Sequence, residues 1–78
     1  DELAYELIQF VTKEYPGVLK ARYDIEEQED AYEVLKAICI SRRCYLKGEE
    51  LDLMKASSLL IDDFRSGRLG KITLELLS

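Results

Sequence analysis

The sequence predicts an all-α fold: a small bundle of three principal helices with one short extra helix and an extended C-terminal tail. Apolar residues recur every three or four positions over three long segments, the spacing of one helix face. Helix breakers stand between or after those segments, at Pro16-Gly17, Gly48 and Gly67. Alternation with a period of two is confined to Ile72, Leu74 and Leu76, and a lone extended segment cannot form a sheet.

In the first segment Leu3, Ala4, Leu7, Ile8, Val11 and Tyr15 make one stripe, which Pro16-Gly17 ends. Val18 to Tyr23 leaves room for one or two turns, the short helix. The acidic run from Asp24 to Glu29 has no periodicity and reads as a solvated connector. Asp30 then stands three residues before Glu33, the spacing at which each side chain satisfies a free backbone N–H at a helix start. The helix so opened buries Ala31, Val34, Leu35, Ile38 and Cys39 and is expected to reach about Arg43, with Lys36 and Arg43 sharing its opposite face. Asp52 caps the last helix, whose stripe is Leu53, Ala56, Ser57, Leu60, Ile61 and Phe64, with Lys55 and Asp62 outward. Gly67 is its natural stop, because glycine accepts the left-handed conformation found just past many helix ends.

At 78 residues the chain is one domain, and a domain this small buries only about 60% of its unfolded surface. A modest core fits that size and a deep catalytic cavity does not. Apolar runs are only a few residues long, short of the roughly 18 to 20 that span a bilayer, so a soluble cytoplasmic domain without membrane contact is expected. The start at Asp1, with no methionine or signal segment, suggests a piece of something longer. Cys39 and Cys44 without any histidine cannot supply the four ligands of a structural zinc site, so no metal is expected. Five positions apart on one helix, the two thiols are expected to diverge and stay reduced, with Cys39 a small core residue.

No catalytic residues emerge. Without histidine, and without a serine or cysteine beside an evident base, no nucleophile and base pair can be assembled. Asp62 and Asp63 diverge by about 100° on a helix and cannot share a substrate. Gly67-x-x-Gly70-Lys71 is not a nucleotide P-loop, which has four residues between its glycines, a Ser or Thr after the lysine, and a strand before it. It resembles in miniature the Gly-x-x-Gly clamp of KH domains, whose strands this chain lacks.

The charge distribution is more informative than its sum of −5. Residues 1 to 35 carry three basic and ten acidic side chains, a net of −7, and residues 36 to 78 carry eight basic and six acidic, a net of +2. Within the second half, Arg42, Arg43 and Lys47 follow one helix, and Arg65, Arg68 and Lys71 follow the next. Basic residues near helix C-termini gain roughly 0.3–1 kcal/mol each from the helix dipole. The run Arg42-Arg43 with Lys47, interleaved by Tyr45, exceeds what one helix end needs and suits an RNA backbone. The tyrosines otherwise read as rim packing around a small core.

Whole phrases of the sequence resemble the C-terminal domain of the ribosome biogenesis GTPase A family, circularly permuted GTPases of late large-subunit assembly. The matching stretches are "YPGVLKARYDI" at 15–25, "AICISRRCYLKGEELD" at 37–52 and "LLIDDFRSGRLGKITLE" at 59–75, which is the most specific. Two positions depart from the family pattern: glycine is usual where Cys44 stands, and a Gly-Gly pair where Gly48-Glu49 stands. The resemblance implies a helical appendage that engages ribosomal RNA on the large-subunit precursor, with Arg42, Arg43, Lys47, Arg65, Arg68 and Lys71 as RNA-contact candidates. GTP and magnesium would belong to a GTPase domain outside this chain, which itself would need no cofactor. The alternative is a protein-docking module, in which the Leu74 and Leu76 tail or an apolar groove meets a ribosomal protein or the GTPase domain.

Overall fold

The computed structural model describes residues 2–70. Lys71 and the alternating tail with Ile72, Leu74 and Leu76 lie outside the described residues. Four helices follow one another: α1 (Glu2–Glu14), α2 (Val18–Tyr23), α3 (Ala31–Ser41) and α4 (Leu53–Arg65). They are the three principal helices and the short one read from the apolar spacing, and the described residues contain no strand. An isolated antiparallel bridge between Tyr45 and Leu51 draws in the α3–α4 loop, and Asp52 N–H donates to the Cys44 carbonyl at 2.8 Å.

The stripes of α1, α3 and α4 face one another, and α2 lies against α1. Leu7, Ile8 and Val11 of α1 meet Val34, Leu35 and Ile38 of α3 and Ala56 and Leu60 of α4 in one buried cluster, which Leu19 and Tyr23 of α2 complete. Burying each large apolar side chain contributes about 1.5–3 kcal/mol. The helix ends then decide where the polar residues go.

At its start α3 has the expected cap, the Asp30 carboxylate accepting the Tyr32 N–H at 2.9 Å. Glu33 does not reach back. It pairs instead with Lys36 Nζ at 2.7 Å, whose ammonium also lies 4.8 Å from the centre of the Tyr32 ring. Asp52 caps α4 through the Lys55 N–H at 3.0 Å. The short α2 has no cap of its own, since Gly17 precedes it. Glu27 of the acidic connector supplies one: its Oε1 accepts the Gly17 N–H at 2.9 Å and its Oε2 the Lys20 N–H at 3.0 Å. The connector is therefore not wholly solvated, because free N–H groups and a positive dipole end attract a carboxylate, and Ile25 packs against the core.

α3 stops at Ser41, two residues short of the expected end. Arg43 adopts φ +55°, while Cys44 N–H donates to the Cys39 carbonyl at 2.9 Å and Arg43 N–H to the Ile40 carbonyl at 3.2 Å. This closure returns Cys44 to the core. Lys36 and Arg43 consequently do not share a helix face, and the thiols are neighbours rather than diverging along one helix. Both are free and buried, and Cys39 Sγ–H donates to the Cys44 carbonyl. Burial chiefly, and the nearby Cys44, push the Cys39 thiol up, so it stays protonated. α4 ends in the same way: Gly67 takes φ +80°, Arg68 N–H donates to the Asp63 carbonyl at 2.9 Å, and Gly67 N–H to the Phe64 carbonyl at 3.2 Å. One helix thus uses glycine for its left-handed residue and the other uses arginine, for which that conformation costs about 1–2 kcal/mol.

Candidate nucleic-acid interface

The C-terminal ends of α2, α3 and α4 converge, and one buried carboxylate joins two of them. Asp63, only 4% exposed on α4, accepts the Tyr23 hydroxyl at 2.7 Å. The same carboxylate accepts Arg22 Nε–H on Oδ2 and Arg68 Nη1–H on Oδ1, each at 3.4 Å. The end of α3 is tied to α2 by Ser41, whose hydroxyl donates to the Tyr23 carbonyl at 2.6 Å, and by Arg42, whose Nη2 donates to the Arg22 carbonyl at 2.9 Å. The Arg42 guanidinium also lies over the Tyr23 ring, 5.1 Å from its centre.

Burial would raise the Asp63 carboxyl, but hydrogen bonds from Tyr23, Arg22 and Arg68 and the charge of Arg22 outweigh it and hold the group below the usual carboxylate range. Asp63 is ionised at neutral pH. Burial chiefly, with the Asp63 hydrogen bond and charge, drives the Tyr23 hydroxyl well above its usual value, so Tyr23 remains the donor. Tyr23 is consequently a buried strut and no stacking platform.

Arg42 and Arg68, both candidates from the sequence, belong to this cluster. Arg43 is exposed in the turn just after Arg42, and Arg65 is exposed in the last turn of α4. Lys47 is exposed in the α3–α4 loop beside Gly48 and Glu49, and no described contact joins it to the arginine cluster. Lys71 lies outside the described residues. Sequence reading missed Arg22 and the role of Asp63. A signal for Asp63 existed: it follows Ala56 and Leu60 at helical spacing, on the buried stripe, and a charged residue there needs partners. For Arg22 the only signal was its place beside Tyr23.

The left-handed residues explain one departure from the family pattern. Where glycines are usual, Gly48 has φ +89° and Glu49 φ +69°, so Glu49 occupies a conformation that glycine adopts without strain. Cys44 is 1% exposed and fills core space. Among the described residues no group of three or more histidine, cysteine, aspartate or glutamate side chains is placed to hold a metal ion, and no helix there is long and apolar enough to cross a membrane.

This helical chain is similar to a segment of GTPases whose names place them in ribosome biogenesis. The relationship is to ribosome biogenesis GTPase A: the chain is 39% identical over 75 residues to the protein of that name from Bacillus cereus, a match covering 95% of this chain and 25% of that protein. The Priestia megaterium protein of the same name is 32% identical over 75 residues, 95% of this chain and 26% of that protein. Nuclear/nucleolar GTPase 2 of Arabidopsis thaliana is 34% identical over 64 residues, 82% of this chain and 11% of that protein. The chain spans about a quarter of the length of these bacterial relatives, consistent with their C-terminal domain. No family model matches the chain, and no solved structure matches it.

Proposed function

We propose that this domain is an RNA-binding accessory module of a GTPase that acts in late assembly of the large (50S) ribosomal subunit. The observation that carries this reading is the meeting of Arg22, Arg42 and Arg68 around Tyr23 and Asp63, with Arg43 and Arg65 exposed nearby in sequence at the ends of α3 and α4. The acidic side chains beside these arginines in sequence are Asp24, Asp62 and Asp63, so five positive charges stand against three negative ones along these segments. Helix dipoles offset part of the remainder, roughly half a charge per end. Contacts to phosphates would be electrostatic and independent of sequence, orienting the parent protein on its particle.

In this reading the partners are the large-subunit precursor and its rRNA, in the cytoplasm. GTP and magnesium are held by another part of the parent protein, and this segment neither binds nor hydrolyses the nucleotide. The test is filter binding to rRNA from bacterial large subunits. Reversing Arg43 and Arg65 to glutamate, with Arg68→Gln, is expected to abolish binding. Arg42 is left in place because its bond to the Arg22 carbonyl supports the fold.

One observation favours the alternative, docking on a ribosomal protein or on the GTPase domain. Ile40, Tyr45, Leu46 and Met54 are between 45% and 80% exposed. If Leu46→Asp with Met54→Asp destroys particle association while the arginine reversals leave it intact, protein docking replaces RNA binding.

A further inference from the structure

Arg22 and Arg68, with Val18, Ala21, Leu69 and Gly70, line an open groove formed by α2 and the turn that follows α4. Beneath them lies the Asp63 carboxylate, whose side chain is 6% exposed against 36% for Arg22 and 58% for Arg68. Each guanidinium has five N–H donors and directs one of them at Asp63. The remaining donors are directed elsewhere, and both side chains are partly open to solvent. Two positive charges share one buried negative charge, so the cluster keeps a net positive charge. Arg42, which lies over the Tyr23 ring, adds to it and has no acidic partner among the described residues.

A lone surface arginine loses much side-chain entropy when it grips an anion. Here Asp63 already restricts both side chains, and Tyr23 fixes Asp63. We propose that Arg22 and Arg68, braced by Asp63, form a binding site for a phosphodiester group of an RNA backbone running along this groove. The site rests on the RNA-binding reading and adds Arg22 to it, a residue on α2 far in sequence from the other arginines. Arginine forks match phosphate oxygens in pairs. An open groove with an apolar floor suits a chain that passes through, whereas a small free anion needs enclosure. Asp63 is the positioning residue, because it meets the arginines and is itself screened from solvent.

The experiment is titration of the 78-residue chain with decauridine over a range of salt, read by fluorescence anisotropy, for the wild type, Arg22→Gln and Arg68→Gln. Each substitution is expected to weaken binding by about fivefold to tenfold and to lower the salt slope by about 0.7, the counterion release of one single-strand phosphate contact. Because Arg22→Gln also removes an Asp63 contact, the Nε–Hε resonances of Arg22 and Arg68 in the unmutated chain provide a second readout and are expected to shift on titration. If the wild type binds decauridine but Arg22→Gln leaves affinity and slope unchanged and the Arg22 resonance of the unmutated chain does not shift, the site is refuted while RNA binding stands. If the wild type binds neither decauridine nor rRNA, the underlying reading fails. Binding a glutamate decapeptide as tightly as decauridine would overturn the phosphate assignment.

Discussion

Tyr23→Phe isolates the buried bond on which the convergence of helix ends depends. The ring is retained, so the packing of α2 against α1 and the Arg42 contact survive, and only the hydroxyl that donates to Asp63 at 2.7 Å is lost. A hydrogen bond to a charged group is worth about 1.5–3 kcal/mol. The arginines at 3.4 Å cannot fully replace it. For a domain of this size each kcal/mol moves the melting midpoint by about 4–8 °C, so a loss of 2 kcal/mol lowers it by about 8–16 °C. The pH profile gives an independent sign. The raised Tyr23 hydroxyl contributes stability that is complete below about pH 10 and is lost as pH rises toward the folded-state value. The lowered Asp63 carboxyl contributes stability that is complete above about pH 4 and is lost as pH falls through its folded-state value. Urea unfolding across pH should therefore show Tyr23→Phe weaker at neutrality and without the Tyr23 share of the alkaline decline. A loss under about 0.5 kcal/mol, a scale typical of a surface change, with the wild-type alkaline limb intact would refute the reasoning.

Arg43→Gly should stabilise the domain by about 0.5–1 kcal/mol, the relief of left-handed strain at φ +55° less the added freedom of the unfolded chain. It should at the same time weaken binding to large-subunit rRNA, so stability by urea unfolding and affinity by filter binding move in opposite directions. Glu49→Gly should stabilise by a similar amount for the same reason, at φ +69°, and circular-dichroism melting would show a rise of a few degrees. Glu27→Ala removes the acceptor of the Gly17 and Lys20 N–H groups and should cost about 1 kcal/mol. Hydrogen exchange of the Gly17 and Lys20 amides would show where the loss falls.

Periodicity made the helices legible, because an apolar stripe at helical spacing has few ways to be buried in so short a chain. Asp30, Asp52 and Gly67 marked three helix ends for local chemical reasons that hold without tertiary context. The end of α3 was not legible. Arg43 takes a left-handed conformation against its own preference because Cys44 is buried and Tyr45 is bridged to Leu51, and those gains depend on the whole bundle. Glu27 was illegible for a related reason, since its acceptor role exists only once the connector folds back over the start of α2. The arginines after α3 and α4 could be read from composition. The meeting of Arg68 with Arg22 could not, because it is made through Asp63, about forty positions from Arg22 in sequence, nor could the bond of Arg42 to the Arg22 carbonyl.

The most direct measurement is the salt dependence of the chain's affinity for large-subunit rRNA. Three to five phosphate contacts by these arginines give a linear fall of log K with log salt, at a slope of about −2 to −4. An affinity that holds constant across the same salt range would contradict RNA binding by the arginine cluster.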